Sequence, residues 1–265
     1  MRADVYLVEN GYAPSRERAK KWIEEGVAFS DGKPIEKPSQ EILPGAEIKI
    51  LDTMPYVGRG GLKLEAALNA FQIDVSGLSA LDIGASTGGF TDCLLQHGAR
   101  SVCAVDSGSG QLAKKLREDP RVKSIEHCNA RYLTEKQIGG RVSIIVMDVS
   151  FISATYLIPL FPSLLLPGGK AVCLVKPQFE VGRAAIGKGG IVKDPAAHKA
   201  AIERVAEAGK KAGMTSCGLI PSPIFGGDGN REFLICLSME QGASTVDETR
   251  IRQVIQPDKG GIKNA

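Results

Sequence analysis

The sequence has no long hydrophobic run. Its most apolar stretch, residues 154–167, contains three prolines and is too short to cross a bilayer. The first residues, MRADVYL, lack the hydrophobic region of a signal peptide. No internal repeat or low-complexity tract is present either. These absences predict a cytoplasmic protein that has no membrane partner.

Cysteine pairs are missing as well. The six cysteines form no C-x-x-C motif, and most lie in apolar, strand-like segments. This pattern predicts buried thiols in a reducing compartment, with no disulfide and no metal site. The formal net charge of +3 permits binding to nucleic acid without requiring it, so local clusters of charge must decide that question.

A glycine-rich turn is the most informative feature that is present. Residues 81–90, LDIGASTGGF, run from an apolar strand through an acid into a turn that opens a helix. Glycines let the backbone bend and approach a ligand closely, and a strand-end carboxylate such as Asp106 can accept the hydroxyls of a ribose. The full G-x-G-x-x-G spacing is absent, so no pyrophosphate is implied. The turn with its two strand-end acids, Asp82 and Asp106, therefore favours S-adenosylmethionine over a dinucleotide.

Two other motifs overlap or follow this region. Residues 84–88 match G-x-S-x-G, the nucleophile elbow of α/β-hydrolases, and the order Ser86, Asp148, His198 would permit a triad. However, this turn follows the first strand of its domain, and we expect His198 to lie at an exposed helix start. Residues 182–189, GRAAIGKG, match a P-loop except that glycine replaces the hydroxyl residue needed for magnesium. We therefore favour neither alternative.

The amino-terminal region combines an amphipathic helix with clustered positive charge. Ser15 is a suitable N-cap for a helix over 16–25, which Gly26 would end. Four cations crowd the first half of this helix: Arg16, Arg18, Lys20 and Lys21. Such a run is usually a solvated helix face. Here the cations lie where the helix dipole prefers anions, which indicates a phosphate backbone as partner.

The same region matches a longer pattern, V-x-x-G-x-x-x-S-R-x-x-A-x-x-x-I-x-x-G-x-V. The matching residues are Val8, Gly11, Ser15, Arg16, Ala19, Ile23, Gly26 and, shifted by one, Val27. Over residues 1 to about 50 the chain resembles the S4-type RNA-binding module of a ribosomal protein and several RNA-modifying enzymes. Residues 51–61, with three glycines and one proline, are typical of a hinge. We expect an α+β RNA-binding domain with its linker over 1–57 and a second domain over 58–265.

The second domain alternates helices and strands. A helix over 62–71 precedes expected strands near 79–83, 101–105, 122–127, 142–147, 170–175, 215–220 and 231–238. Alternation of this kind predicts an α/β fold with a doubly wound, Rossmann-like parallel sheet, here with a late antiparallel hairpin.

Four charged residues fall where such a sheet binds ligands, beyond the carboxyl ends of its strands. Asp148 and Lys176 each end an apolar strand, and Glu232 opens one that we expect to run antiparallel. Lys63 joins them from the first turn of the helix over 62–71. Two salt bridges at a sheet rim would explain the same pattern, but the four residues together outline a K-D-K-E tetrad.

Four sequence segments carry a resemblance to a known family: GRGGLKL at 58–64, DIGASTGGFTD at 82–92, DVSFIS at 148–153 and KPQFE at 176–180. Nearly the whole chain resembles the hemolysin A/TlyA family of rRNA 2′-O-methyltransferases, which join an S4-type domain to an FtsJ-like methyltransferase. The linker departs from some members, because MPYV at 54–57 replaces Arg-x-Trp-Val. The resemblance implies methylation of a ribose, that of cytidine, in 16S and/or 23S rRNA, with ribosomal RNA or ribosomal subunits as partners.

The expected cofactor site combines the turn and the resemblance. We expect S-adenosylmethionine to be bound by residues of the turn and of the next two strand ends: Asp82, Gly84, Ala85, Ser86, Gly88, Gly89, Phe90, Asp106 and Asn129. The last of these, Asn129, is placed near the adenine by the resemblance alone.

The tetrad suits the chemistry of a ribose hydroxyl, which must lose its proton as the methyl group transfers. A lysine is mostly protonated at neutral pH, but a second lysine and partial burial favour the neutral amine. We expect Lys176 to be the general base and Lys63, Asp148 and Glu232 to orient it. No metal is needed, because a sulfonium is already a good leaving group.

Two other functions are compatible with parts of the sequence. The family name suggests a membrane-active hemolysin, but the chain has neither a spanning helix nor a strongly amphipathic cationic one. A non-catalytic RNA-binding protein with a relict methyltransferase fold is disfavoured, because the turn and the tetrad are both intact.

Overall fold

The computed structural model describes residues 1–24, 26–51 and 55–256. The α-helices are α1 (Ala3–Glu9), α2 (Arg16–Glu24), α3 (Gly60–Ala70), α4 (Gly89–Gln96), α5 (Lys114–Arg117), α6 (Glu135–Ile138), α7 (Phe161–Leu164), α8 (Pro177–Glu180), α9 (Pro195–Lys211) and α10 (Glu248–Ile255). The strands are β1 (Ala28–Ser30), β2 (Lys33–Pro34), β3 (Ile48–Ile50), β4 (Ser79–Ile83), β5 (Ser101–Val105), β6 (Val122–Ile125), β7 (Val142–Met147), β8 (Leu165–Val175), β9 (Thr215–Pro221) and β10 (Phe233–Ser238).

The amino-terminal unit consists of α1, α2 and a small antiparallel sheet of order β2-β1-β3. Its own apolar core includes Leu7, Ala19 and Ile23. Ser15 accepts a hydrogen bond from the backbone N–H of Arg18 (3.2 Å), as its predicted capping role requires. The predicted last helical residue, Glu25, lies outside the described residues.

A seven-stranded sheet of order β6-β5-β4-β7-β8-β10-β9 forms the centre of the second unit. β6, β5, β4, β7 and β8 are parallel, and β10 runs antiparallel to both β8 and β9. The predicted doubly wound α/β fold with a late antiparallel hairpin is confirmed. The chain leaves β4 toward β5 and returns to β7 on its other side, so the strand order reverses at β4 and β7, where such folds bind ligands.

Both faces of this sheet are buried, because alternate residues of each central strand point to opposite sides. Ile145 and Met147 of β7 join the core beneath α9 and α10, whereas Ile144 and Val146 join the core beneath α3 and α4. The helices therefore hold the carboxyl ends of β4, β7 and β8 in fixed positions at one edge.

The expectation that His198 is exposed was wrong. It lies in the first turn of α9, as predicted, but its side chain is buried, packs edge-on against the ring of Phe233, and contacts the carbonyl of Val192 through Nε2 (2.9 Å). The helix start could be predicted from the N-cap Asp194, whose side chain accepts from Ala196 N–H. The burial of its side chain could not be predicted in this way, because Phe233, which packs against it, belongs to a strand far along the chain.

Candidate active site

The glycine-rich turn lies where the ends of β4, β5 and β7 meet. The backbone N–H groups of Gly84 and Asp148 donate to the carbonyls of Val105 and Ile83, at 2.8 and 3.0 Å. Gly84 has φ +85°, and a Cβ atom there would lie 2.4 Å from the Asp148 carbonyl oxygen. Glycine is required here because two strand ends meet with no room for a side chain.

Asp82 lies beneath this turn. Its carboxylate is fully buried and accepts a hydrogen bond from the Thr91 hydroxyl (2.6 Å), while Oδ1 has no hydrogen-bond partner among the described residues. Burial raises the pKa of Asp82 to about 7, against the opposing effect of the Thr91 hydrogen bond. Asp82 therefore joins the strand end to the first turn of α4.

Asp106 follows β5 at the same edge. Its two carboxylate oxygens accept the backbone N–H groups of Ser86 (2.8 Å) and Gly108 (2.7 Å). The adjacent cavity holds only about 10 Å³. The side chain of Gln111, which lines this cavity, accepts a hydrogen bond from the Ser86 hydroxyl (3.0 Å). The Asp106 carboxylate thus links the glycine-rich turn after β4 to the loop after β5.

Of the other expected cofactor residues, five line a second cavity, whereas Gly88 and Asn129 do not. Gly84, Ala85, Ser86, Gly89 and Phe90 line a second and larger cavity of about 270 Å³. Gly88 is the N-cap of α4, with φ +97°, and packs against leucines of the next loop and helix. Asn129 is exposed, and its side chain caps a 3₁₀ turn by accepting from the Arg131 N–H (3.1 Å).

The tetrad forms two ion pairs at the edge of the larger cavity. Lys63 Nζ lies 2.5 Å from Glu232 Oε2, and Lys176 Nζ lies 2.6 Å from Asp148 Oδ1. Lys176 also donates to the Ser150 hydroxyl (2.9 Å). Phe233 pairs with Val175 in the antiparallel register, which places the preceding Glu232 beside Lys176 as the strand direction predicted.

The two pairs differ in burial. Lys63 and Glu232 are 7% and 2% exposed, and burial raises the pKa of Glu232 while the Lys63 ammonium opposes that shift. Lys63, Asp148 and Lys176 line the cavity, with Glu232 behind Lys63. The structure therefore brings all four predicted residues together, and the lysine nearer the solvent is Lys176.

Several cavity residues were not predicted from the sequence. Arg59 and Ser150 lie within segments that carried the family resemblance, so their positions gave a signal. Ile224, Phe225 and Gly227 belong to the loop between β9 and β10, and no pattern in that loop indicated a site.

The cations of α2 have different surroundings. Arg16 donates to the buried carboxylate of Asp4 (2.7 Å), and Arg18 stacks over the Trp22 ring at 5.3 Å. Lys20 and Lys21 are exposed. Arg16 is therefore partly committed to the core of the amino-terminal unit, which charge counting along the helix did not indicate.

Two kinds of feature are absent from residues 1–24, 26–51 and 55–256. No group of three or more histidine, cysteine or acidic side chains in these ranges is placed to hold a metal ion. No helix there has both the length and the apolar character that crossing a bilayer requires.

The chain is similar to known proteins along most of its length. Residues 56–239 match the family described as FtsJ-like methyltransferase, and residues 1–48 match the S4 domain. The 16S/23S rRNA (cytidine-2′-O)-methyltransferase TlyA of Mycobacterium tuberculosis is 43% identical, over 89% of either chain. Hemolysin A of Brachyspira hyodysenteriae is 40% identical, over 88% of this chain and 98% of that protein.

A solved structure of a candidate hemolysin from Streptococcus thermophilus superimposes with a TM-score of 0.75 at 42% identity, covering 96% of this chain and 94% of that one. Together with the sheet order and the paired lysines and carboxylates, these similarities establish the relationship. The chain belongs to the FtsJ-like methyltransferase family and carries an S4 domain at its amino-terminal end.

Proposed function

We propose that this protein transfers a methyl group from S-adenosylmethionine to the 2′-hydroxyl of a cytidine ribose in 16S and/or 23S rRNA, acting in the cytoplasm. The observation that carries this proposal is the arrangement of two lysines and two carboxylates beside a glycine turn, in one cavity of about 270 Å³. The activity named for the M. tuberculosis relative supports the choice of substrate.

The residues around the turn fit the cofactor. Each carboxylate oxygen of Asp106 accepts one backbone N–H and retains a further lone pair for a ribose hydroxyl. The cavity of about 10 Å³ beside it is too small for a nucleoside, so we infer that Gln111 swings aside on binding. The backbone of 84–89 would hold the rest of the molecule. When bound, S-adenosylmethionine supplies an electrophilic methyl group on a sulfonium.

The ribose hydroxyl must be deprotonated as its oxygen forms the new C–O bond. Lys176 faces the cavity and is held by Asp148 and Ser150, so its Nζ is the proton acceptor we propose. Lys63 and Glu232, more deeply buried, would fix the electrostatic environment of that amine.

Affinity for RNA is proposed to come from the exposed cations of α2. Arg18, Lys20 and Lys21 lie on one helix of the S4 domain and would neutralise phosphates, releasing counterions. Arg16 would contribute less to binding, because it is paired with the buried Asp4.

Mapping of ribose methylation tests this function directly. rRNA from cells lacking the protein should have lost methylation at one or more cytidines, and the wild-type gene should restore it. A gene encoding Lys176→Ala should not. Purified ribosomal subunits from the deficient cells should accept labelled methyl from S-adenosylmethionine in the presence of the protein. Identical methylation maps in the two strains would contradict the proposal.

A further inference from the structure

The cavity contains one positive charge more than its carboxylates balance. Lys63 is paired with Glu232 and Lys176 with Asp148. A third cation, Arg59, lines the same cavity and is half-buried. Within the described ranges, its guanidinium has neither a hydrogen bond nor an ion pair. The cavity therefore has an excess charge of +1, located at Arg59.

The position of Arg59 is fixed by the helix that carries Lys63. Arg59 is the N-cap of α3 and has helical dihedral angles, φ −56° and ψ −25°. Residues four apart on a helix lie on the same side, so Arg59 and Lys63 face the cavity together. The guanidinium Nη2 lies 3.3 Å from the point where a Cβ on Gly227 would stand. The Arg59 guanidinium thus lies against the β9–β10 loop, while the backbone on either side of it, at Gly58 and Gly60, packs against Thr87 and Phe90.

We propose that Arg59 binds a phosphate that flanks the target ribose and thereby positions the 2′-hydroxyl at Lys176. This proposal rests on the proposed function, because it takes an RNA substrate as given. Every internal ribose of RNA has a phosphodiester on each side, and a guanidinium binds phosphate through two parallel hydrogen bonds. A phosphate would neutralise the excess charge without disturbing either lysine–carboxylate pair. Arg59 is thus a positioning residue, separate from the proposed base.

Three variants separate this role from a structural one. Arg59→Ala removes the charge, Arg59→Lys keeps the charge but loses the two-pronged geometry, and Arg100→Ala is the matched control. Arg100 is exposed and immediately precedes β5, at the opposite edge of the sheet. Methyl transfer to purified ribosomal subunits that lack the modification would be measured for each at several salt concentrations, with the dissociation constant for S-adenosylmethionine measured in parallel.

We expect Arg59→Ala to lower kcat/KM for the subunits by roughly 10- to 100-fold, mainly through KM, as for a lost hydrogen bond between charged groups. The slope of log kcat/KM against log salt should fall by roughly 0.7 to 0.9, the value for one phosphate contact. Arg59→Lys should recover part of the activity. Arg100→Ala should behave as the wild type, and cofactor affinity should stay within about twofold in all three proteins.

Two results would overturn the proposal. One is a salt slope and KM for Arg59→Ala equal to those of the wild type. The other is a marked loss of affinity for S-adenosylmethionine, which would assign Arg59 to the carboxylate of the cofactor. If Arg59→Ala melts early, Arg59→Gln repeats the test, because it removes the charge and keeps most of the length. If the wild type transfers no methyl group, the proposed function is contradicted instead. The salt dependence of RNA binding is then compared between Arg59→Ala and the wild type, and equal slopes would overturn the role of Arg59.

Discussion

Lys176 is the residue on which the proposed chemistry depends most directly. Its ammonium is held between the Asp148 carboxylate and the Ser150 hydroxyl, at 2.6 and 2.9 Å. These contacts orient Nζ. Two roles are therefore possible, a fixed positive charge or a proton acceptor, and they differ in whether the group must lose a proton.

Lys176→Arg distinguishes these roles. The substitution keeps the charge and the pairing with Asp148, but a guanidinium stays protonated at any working pH. We expect the rate of methyl transfer to fall by at least about 100-fold, the smaller end of what a general base contributes. Lys115→Arg, which changes a lysine that is ion-paired with Asp92 outside the tetrad, should keep normal activity. Near-normal turnover of Lys176→Arg would show that Lys176 acts by charge alone.

The free energy of unfolding depends on pH through the carboxyl group of Asp82. The pKa of this carboxyl is about 7 in the folded protein, against an ordinary value of 3.8. The folded state therefore keeps a proton that the unfolded chain loses, and stability falls as the pH rises from about 4 to about 7. Asp82→Asn abolishes this titration while leaving an acceptor for Thr91.

Urea unfolding at pH 5, 6, 7 and 8 measures the effect. The free energy of unfolding of Asp82→Asn relative to wild type should increase with pH and level off above about pH 7, by a few kcal/mol at most. Comparison with the variant cancels the other titrating groups, including Glu180, whose pKa burial also raises. A difference that stays constant from pH 5 to pH 8 would contradict the raised pKa of Asp82.

At the scale of elements, the close approach of β4 and β7 depends on Gly84. Gly110 is a suitable control, because it also has positive φ, +66°, but nothing lies within 4 Å of a Cβ placed there. Gly110→Ala should cost about 1–2 kcal/mol, the price of a left-handed conformation. Gly84→Ala should cost about 1–3 kcal/mol more, because its Cβ meets the Asp148 carbonyl. Chemical denaturation of both variants measures the difference, and equal losses would show that the strand ends separate freely.

The strands and the tetrad were accessible from the sequence because each is a local pattern. β4, β5 and β7 are apolar runs that are each followed by an acid or a glycine, and their predicted bounds are the same as the observed ones. The direction of β10 placed Glu232 correctly beside Lys176. The fold class and the reacting edge of the sheet follow from such patterns alone.

The remaining parts of the site depend on contacts between distant segments. Arg16 is held by Asp4, twelve positions earlier, and Arg59 faces a loop more than 160 positions later. Helix-face charge does not indicate which cations have buried partners. The loop that supplies Phe225 has no periodicity, so its position beside the cavity could not be predicted.

On the scale of the whole molecule, the S4 unit touches the wall of the larger cavity. Lys33, at the start of β2, lies 4.7 Å from the centre of the Phe225 ring, and Phe225 lines the cavity. The linker is held on α4, where Gln96 donates to the Pro55 carbonyl and Asp92 accepts from the Val57 N–H, both at 2.8 Å. Contacts to RNA by α2 and by the cavity would therefore be made by one molecule in a defined arrangement.

If α2 and Arg59 contact separate phosphates of one RNA, their contributions should be independent. Free energies of distant sites without shared partners add, so kcat/KM for a protein combining Arg18→Ala, Lys20→Ala and Arg59→Ala should fall by the product of the separate effects. The salt slope should fall by roughly 0.7 to 0.9 for each cation removed. Methyl transfer to ribosomal subunits at several salt concentrations measures both quantities.

Arg16→Ala is the control within the same helix for that combined variant. Removing this partner from the buried Asp4 should lower the melting temperature, because the Arg2 and Arg16 guanidinium groups hold the pKa of that carboxyl well below its usual range. The salt slope should change less than it does for Lys20→Ala. A combined loss far smaller than the product would mean that the two regions contact the same phosphates. An unchanged slope would mean that the cations of α2 form a solvated helix face, and recognition of RNA would then have to come from the catalytic domain.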